Sequence, residues 1–131
     1  MITHPRFVVL YFTDQQRALD FFTGPLGFEL RTDAPFGDGG RWIEVQRPAS
    51  QTYLVLAAAD PELRAIVRER AGAMSAVWFD CEDIDATHRE LAANGVEFPV
   101  EPQAAPWDAN TRWAQFSDPE GNLYGLSEQV R

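Results

Sequence analysis

The sequence contains few of the residues that form covalent links or ligate metals. Cysteine occurs once, at position 81, so an intrachain disulfide is impossible. Cys81 lies in an apolar run, and we interpret it as a core residue in preference to a catalytic thiol. No Gly-x-Ser-x-Gly motif or phosphate-binding loop occurs, and no serine has an evident histidine partner. The sequence therefore offers little for nucleophilic or phosphate chemistry.

Long apolar runs and an excess of positive charge are absent as well. No segment approaches the roughly 18 apolar residues of a membrane span, and the N-terminus lacks the pattern of a signal peptide. The net charge of −9 disfavours nucleic acid and anionic membranes, because both are bound by basic patches. The 131 residues, 45% of them apolar, are enough for one domain with a real core. We expect a reduced, cytoplasmic, soluble protein.

What is present is a repeated order of elements, strand-helix-strand-strand-strand, with a short helical linker between the two copies. A buried strand at 7–12 precedes a helix that Asp14 caps and Gly24-Pro25 ends. Asp83 caps the corresponding later helix, and Gly95 ends it. The predicted boundaries are 1–58 for the first module, 59–72 for the linker and 73–131 for the second module. The other predicted strands are 28–32, 41–47, 51–58, 75–81, 97–100, 112–117 and 123–128, with loops at 35–40 and 104–110.

The two halves share residues as well as order. In the first, Phe12-Thr13-Asp14 is followed by a helix and then by Gly27-Phe28-Glu29-Leu30. In the second, Cys81-Glu82-Asp83 is followed by a helix and then by Gly95-Val96-Glu97-Phe98. The offset of about 69 residues exceeds the period of solenoid repeats and indicates a duplicated module.

The stretch from 116 to 126, F-S-D-P-E-G-N-L-Y-G-L, predicts a tight hairpin. Asp118 can hydrogen-bond its own backbone, Pro119 fixes φ, and Gly121 and Asn122 tolerate positive φ. This stretch resembles the closing hairpin of the vicinal oxygen chelate superfamily, which includes glyoxalase I, bleomycin-resistance proteins and extradiol dioxygenases. The helix and strand at 14–30 and the helix at 84–96 carry the same resemblance. Gly39-Gly40-Arg41-Trp42 and Pro106-Trp107 resemble a subgroup of small glyoxalase/bleomycin-resistance-like proteins.

The resemblance covers nearly the whole chain and implies its fold, an α+β arrangement of two βαβββ modules related by a pseudo-twofold axis. Their curled mixed sheets would form a cup with the helices outside. Family members of this length usually form homodimers, so a homodimer is expected. Whether the cup would form within one chain or across the dimer stays open.

Enzymes of this superfamily bind a divalent metal in the cup through His and Glu side chains on four strands. The resemblance places these four positions at Phe7, Val55, Ala76 and Gly125, none of which can ligate a metal. The neighbouring positions add only weak ligands, Ser75 and Tyr124.

The remaining donors lie elsewhere in the sequence. His88 lies on a predicted helix, His4 lies near the N-terminus, and Glu128 falls on the opposite face of its strand. We therefore expect no metal and no cofactor.

Strand alternation assigns the side chains that would line the cup. They are Phe7, Val9, Tyr11, Trp42, Glu44, Gln46, Tyr53 and Val55 from the first module and Ala76, Trp78, Asp80, Trp113 and Gln115 from the second. Trp107 lies on a proline-flanked loop that could cover the cup. We single out Phe7, Val9, Trp42, Glu44, Tyr53, Val55, Trp78, Trp107 and Trp113 as candidate ligand-binding residues. An aromatic lining suits a flat organic ligand, although the same side chains could instead pack a core or a dimer interface.

Glu44 is the one candidate catalytic residue. As a charged side chain inside the cup it could act as a general base with a raised pKa, or bind a ligand cation. A salt bridge to Arg41 or Arg112 is an equally good interpretation.

Three functions follow as hypotheses. The first is a metal-free binding protein of the bleomycin-resistance type that sequesters an aromatic or cationic compound such as an antibiotic. The alternative is a glyoxalase- or dioxygenase-type enzyme (lyase, isomerase or oxygenase), using displaced ligands such as His4 and Glu44 or acid/base catalysis by Glu44. The third is a structural or regulatory dimer. A divalent metal is expected only under the alternative.

Overall fold

The computed structural model describes residues 1–129 of the chain. Contacts divide the chain into two compact units, one over Met1–Arg70 and one that begins at Ala71. The first unit contains β1 (Phe7–Phe12), α1 (Gln15–Thr23), β2 (Glu29–Phe36), β3 (Gly40–Gln46) and β4 (Tyr53–Ala58). Helix α2 (Pro61–Ala71) follows, and then β5 (Val77–Asp80), α3 (Ile84–Ala93), β6 (Glu97–Ala105), β7 (Asp108–Ser117) and β8 (Leu123–Gln129).

Each unit contains one four-stranded mixed sheet with the same topology. The strand orders are β1-β4-β3-β2 and β5-β8-β7-β6, so each sheet is open and ends in two edge strands. The first strand of each unit pairs parallel to the last, and the other pairs are antiparallel. The predicted fold class, an α+β repeat of two βαβββ modules, is confirmed.

The repeated sequence signals form the repeated local structure. Asp14 caps α1 by accepting a hydrogen bond from the Arg17 backbone N–H at 3.0 Å. Asp83 caps α3 in the same way, from the backbone N–H of Ala86 at 3.1 Å. Gly27 and Gly95, which follow these helices, have φ of 69° and 88°, a conformation that favours glycine.

One face of the first sheet packs against α1 and forms the core of that unit. Strands β3 and β4 place their alternate apolar side chains on this face, and α1 covers it with an apolar stripe that includes Leu19 and Phe22. These sheet residues, all buried, are Ile43, Val45, Leu54 and Leu56. The side chains at the alternate positions of the same strands lie on the opposite face of the sheet.

The two predicted loops, at 35–40 and 104–110, are shorter than expected and consist of the turns at 37–39 and 106–107. Strand β2 continues through Pro35 to Phe36, and β6 continues through Pro99 and Pro102 to Ala105. Both are edge strands. Proline lacks a backbone N–H, and it is tolerated in an edge strand where that N–H would point to solvent and not to a neighbouring strand. The proline-based prediction ended these strands too early, because it treated the prolines as the ends of the paired segments.

The predicted hairpin between β7 and β8 is held by Asp118, which is 5% exposed. One carboxylate oxygen accepts the backbone N–H groups of Glu120 and Asn122, at 2.9 and 3.0 Å. The other accepts the Asn122 amide at 2.7 Å and the Tyr124 hydroxyl at 2.6 Å. Gly121 supplies the positive φ of 83° that the turn requires.

Candidate functional site

The face of the first sheet that does not pack against α1 carries the candidate residues of the first module. Register pairs Phe7 with Tyr53 and places Val55 beside Val9 and Glu44, and paired residues share a face. We call this surface the first-sheet face; it consists of Phe7, Val9, Trp42, Glu44, Tyr53 and Val55. Phe7 and Val9 remain exposed, whereas Tyr53 and Val55 are buried. Whether the face binds a ligand stays a prediction.

Three donors converge on the Glu44 carboxylate, which is 7% exposed. The Trp42 indole N–H donates to Oε2 at 2.8 Å, and Arg31 Nε donates to Oε1 at 2.9 Å. The Thr32 side chain makes a further hydrogen bond to it. Both carboxylate oxygens of Glu44 therefore accept hydrogen bonds, and Arg31 and Thr32 connect this residue to the neighbouring strand β2.

These contacts correct two expectations for Glu44. Burial raises its pKa, but the hydrogen bonds from Trp42, Thr32 and Arg31 and the charge of Arg31 outweigh it and hold the pKa below the ordinary 4.5. The expected raised pKa is wrong, and a carboxylate with a lowered pKa is a poor general base near neutral pH.

The expected ion-pair partners of Glu44 are wrong as well. Its partner is Arg31, while Arg41 pairs with Asp33 at 2.6 Å and Arg112 with Asp85 at 2.6 Å.

A β-bulge explains why sequence reasoning missed Arg31 and Thr32. The register of β2 against β3 shifts between Leu30 and Thr32, so strict alternation fails at Arg31. Two consecutive side chains then reach the same carboxylate on β3. A bulge has no simple sequence signature, and only the strand pairing reveals it.

A shallow cleft of about 460 Å³ continues along the first sheet toward the β2–β3 turn. Phe36 and Trp42 meet at 5.3 Å in its wall, with Asp38 and Arg41 at its polar end. The first unit thus offers aromatic surface beside charged groups.

The second sheet places three tryptophans in mutual contact. Ring centroids are 5.7 Å apart for Trp78 and Trp107, 5.8 Å for Trp78 and Trp113, and 5.4 Å for Trp107 and Trp113. We call these three residues the tryptophan cluster. Trp78 is 42% exposed and Trp107 is 59% exposed, so the cluster presents a large aromatic surface to solvent.

A tight turn, and not the longer loop expected, places Trp107 in the cluster. It lies with Pro106 in the two-residue turn between β6 and β7, where Ala105 pairs with Asp108. The proline-flanked loop predicted from the sequence is shorter than expected, because both neighbouring strands extend to the turn, and its role as a cover stays a prediction. The hairpin itself holds the indole against Trp78 and Trp113.

Polar groups surround the tryptophan cluster at a cleft of about 260 Å³. The backbone N–H of Asn110 and the Thr111 hydroxyl donate to Asp108, which lowers the pKa of its carboxyl. Asp80 accepts the Ser127 hydroxyl at 2.8 Å. Among the described residues, the lining of this cleft includes a carboxylate and no basic side chain; it consists of Trp78, Trp107, Asp108, Thr111, Ser127 and Gln129.

The four positions at which the resemblance implies metal ligands do not fit a metal. Phe7 and Val55 lie on the first-sheet face, and Ala76 precedes β5 with its N–H bonded to the Leu123 carbonyl at 2.7 Å. Gly125 lies beneath the Trp78 indole, and a Cβ there would come within 2.2–2.6 Å of three ring atoms. Residues 1–129 contain no group of three or more His, Cys, Asp or Glu side chains that could hold a metal ion.

Trp78 therefore covers the space that a side chain at position 125 would need. No reaction step can be derived through a metal at these positions.

The remaining titratable candidates take structural positions. Burial raises the pKa of the Cys81 thiol, whose sulfur lies 3.6 Å from the Ser127 carbonyl oxygen. His88 packs edge-on against Phe98 at 4.6 Å, and His4 is exposed. Glu128 accepts the Ile84 backbone N–H at 2.9 Å, at the start of α3, on the face opposite to Trp78. Within residues 1–129 no helix is long and apolar enough to span a membrane.

Comparisons with known proteins agree with this architecture. YetH of Bacillus subtilis (strain 168), an uncharacterised protein, is 34% identical over 121 residues, 92% of this chain and 94% of YetH. The crystal structure of UcmS2 matches with a TM-score of 0.81 and 30% identity, covering 97% of this chain and 98% of UcmS2. TnmS3, an antibiotic binding protein from Streptomyces sp. CB03234, matches with a TM-score of 0.79 and 32% identity over 98% of each chain.

The family model matches residues 4–126, which span both modules. The duplicated βαβββ topology, the matching solved structures and this family model agree. The chain belongs to the Glyoxalase/Bleomycin resistance protein/Dioxygenase superfamily.

Proposed function

We propose that the protein binds and sequesters a small, cationic aromatic compound at the tryptophan cluster, without a metal and without chemical conversion. The observation that carries the proposal is the cluster itself, in which three tryptophans are in contact and two of them are exposed to solvent. Exposing indole surface to water costs free energy that a bound aromatic ring would recover. A purely structural cluster would gain stability by burying it.

The charge around the cluster supports a cation as the ligand. Asp108 is held as a carboxylate in the wall of the cleft, and Asp80 lies on the same face as Trp78. Indole faces attract cations through the ring quadrupole, and the net charge of −9 adds a long-range attraction. TnmS3, a similar protein, is an antibiotic binding protein, which supports sequestration of an organic compound as the role.

Tryptophan quenching by 9-aminoacridine, a flat cation, tests the proposal, with 9-anthracenemethanol as the matched neutral ring. We expect saturable quenching by the cation, weakened by added salt because the attraction is partly Coulombic. Trp107→Ala should weaken binding about tenfold, since base-like rings stacked on aromatic side chains contribute about 1–3 kcal/mol each.

Phe36→Ala is the control variant, because it removes an exposed aromatic ring from the first sheet and leaves the cluster intact. Equal affinity for the cationic and the neutral probe would show that the charge of the ligand does not contribute to binding. Absence of saturable binding by any flat probe would overturn it altogether.

Conversion of the probe is assayed in the same samples. An unchanged probe after prolonged incubation is the expected result. Turnover of glyoxalase or dioxygenase substrates, with or without added metal, would favour the enzymatic alternative.

The homodimer implied by the superfamily belongs to the proposal as well. Light scattering coupled to gel filtration measures it directly. A mass of about 29 kDa, twice that of the 14.7 kDa chain, is the expected result.

A further inference from the structure

We propose that Asp108 determines which cations bind at the tryptophan cluster, by accepting a hydrogen bond from the ligand. The preferred ligand is then an aromatic ammonium, or another aromatic cation with N–H donors, and a quaternary ammonium binds less tightly. This inference rests on the proposed function and adds one residue and one chemical group to it. A cation held by charge and indole faces alone would need no N–H group.

A chain of hydrogen bonds fixes the Asp108 carboxylate in the wall of the cleft. Its Oδ1 accepts the backbone N–H of Asn110 at 2.9 Å, and its Oδ2 accepts the Thr111 hydroxyl at 2.8 Å. Gln129 Nε2 donates to the Thr111 oxygen at 3.1 Å, which leaves the hydroxyl hydrogen for Asp108. Thr111 is 5% exposed and lies on a paired strand. An acceptor fixed in this way loses little further freedom when a ligand donates to it.

Asp108 keeps acceptor capacity for a ligand. A carboxylate offers about four lone-pair sites, and the hydrogen bonds from Asn110 and Thr111 occupy one on each oxygen. The side chain is half-buried, and the cleft that it lines also contains the exposed indole of Trp107, the residue before it. A ring stacked on Trp107 can therefore direct a short amino substituent to the carboxylate.

The face of the second sheet that carries the tryptophan cluster has an excess of negative charge. The arginines within residues 71–129 are Arg89, which lies on α3, and Arg112, which pairs with Asp85 of that helix at 2.6 Å. Both therefore lie on the helix side of the sheet. The carboxylates on the opposite face include those of Asp80, Glu97 and Asp108. Within these residues no arginine or lysine competes with a ligand cation for Asp108.

Asp80, the other carboxylate near the cluster, differs from Asp108 in exposure and position. It is exposed, and one of its oxygens accepts the Ser127 hydroxyl at 2.8 Å. The lining of the cleft beside the indoles includes Asp108 and not Asp80. Solvent weakens an ion pair at an exposed side chain, which must also be ordered when the pair forms. We therefore assign the hydrogen bond to Asp108 and use Asp80 as the matched control.

Three probes with one anthracene ring separate the contributions of ring, charge and hydrogen bond. The neutral probe is 9-anthracenemethanol, and 9-anthracenemethylammonium has a charge and N–H donors. The third, trimethyl(9-anthracenemethyl)ammonium, has the same charge and no N–H. Quenching of tryptophan fluorescence in the full chain gives each affinity at constant salt. We expect the primary ammonium to bind about tenfold tighter than the quaternary one, the effect of one charge-assisted hydrogen bond.

Substitutions identify the acceptor through the ratio of these two affinities. Asp108→Asn should lower the preference for the primary ammonium to about twofold or less, because an amide oxygen accepts only an uncharged hydrogen bond. Asp80→Asn removes an equal charge from the same face and should leave the preference intact.

Thr111 is a positioning residue, since it acts through Asp108. Thr111→Val should lower the preference to about threefold, because only the Asn110 N–H then holds the carboxylate, and Thr111→Ser should restore it. Both probes are compared on the same sample, so a partly unfolded variant changes both signals equally and leaves the ratio unaffected. Should Asp108→Asn fail to fold, the Thr111 pair decides the question.

Equal affinity for the two ammonium probes, each above that for 9-anthracenemethanol, would overturn the role of Asp108 and leave the proposed function standing. Loss of the preference in Asp80→Asn and not in Asp108→Asn would also overturn it, and would assign the hydrogen bond to Asp80. Absence of saturable binding by all three probes would instead remove the proposed function, and this inference with it.

Discussion

Because Gly125 has no side chain, the Trp78 indole can lie against the second sheet at this position. The Trp78 indole rests directly on this glycine and contacts Trp113 and Trp107 from that position. The resemblance implies a metal ligand at this position in the superfamily's enzymes, and glycine has no side chain that could supply one. Glycine at position 125 thus leaves this part of the second sheet to the Trp78 indole.

Gly125→Ala should destabilise the protein by about 1–3 kcal/mol, because the new Cβ would displace the indole from a packed position. Urea unfolding measures the loss, and the near-ultraviolet circular dichroism of the tryptophans should change with it. Trp78→Ala removes the obstructing ring, so the double variant should be destabilised by less than the sum of the single changes. Additive effects would show that the indole does not rest on Gly125.

Glu44 behaves as a structural carboxylate with an acid-sensitive contribution to stability. Its pKa in the folded state lies below its ordinary value of 4.5, so the folded chain binds fewer protons there than the unfolded chain. The stabilisation is complete above that ordinary value and is lost as the pH falls through the lower folded pKa.

Glu44→Gln should therefore cost about 1–3 kcal/mol near neutral pH, since a buried charged acceptor is lost. The difference from the unsubstituted chain should shrink as the pH falls, and urea unfolding at about pH 7 and about pH 3 measures it. The variant keeps some acid dependence, because Asp33, Asp85 and Asp108 also have lowered pKa values. Glu69→Gln, at an exposed position of α2, is the matched control and should change the free energy of unfolding near neutral pH by less than about 0.5 kcal/mol.

At the scale of elements, the edge strands and their turns differ most from expectation. The helix caps at Asp14 and Asp83 and the β7–β8 turn were predictable, because each depends on contacts within a few residues of sequence. The lengths of β2 and β6 were not, because how far a strand that contains proline stays paired depends on its register with the neighbouring strand. The bulge that brings Arg31 to Glu44 and the turn that carries Trp107 follow from that pairing.

The closing turn of the second module supplies a test at this scale. Asp118→Asn replaces an acceptor of hydrogen bonds from Asn122 and Tyr124 with a donor inside a buried turn. We expect a loss of about 2–4 kcal/mol in the free energy of unfolding, measured in urea. Asp38→Asn, in the exposed β2–β3 turn, is the matched control and should stay within about 0.5 kcal/mol of the unsubstituted chain. Equal effects at both positions would contradict the role of Asp118.

At the scale of the whole molecule, a duplicated module carries two chemically different faces. The first sheet presents arginine beside aromatic rings, and the second presents tryptophans beside carboxylates. The superfamily hosts many activities on one architecture, so membership alone does not assign a function. The side chains on the second of these faces are therefore the basis of the functional proposals.

Metal content is a property of the whole molecule and tests the metal-free proposal directly. Protein purified without chelator should contain far less than about one metal ion per chain, and Ni²⁺, Mn²⁺, Fe²⁺ or Zn²⁺ should leave its melting temperature unchanged. Elemental analysis and thermal unfolding provide the two measurements. One tightly bound ion per chain, or a rise in melting temperature that saturates, would restore the enzymatic alternative.

The sequence by itself determined the superfamily, the repeated order of elements and the two faces of the regularly paired strands. These features depend on local spacing, since caps, turn residues and alternation act over a few neighbouring positions. Only the tertiary structure decided the partner of Glu44, the direction of its pKa shift and the packing of Trp78 on Gly125. Each of these depends on contacts between residues distant in sequence, which strand register and one β-bulge bring together.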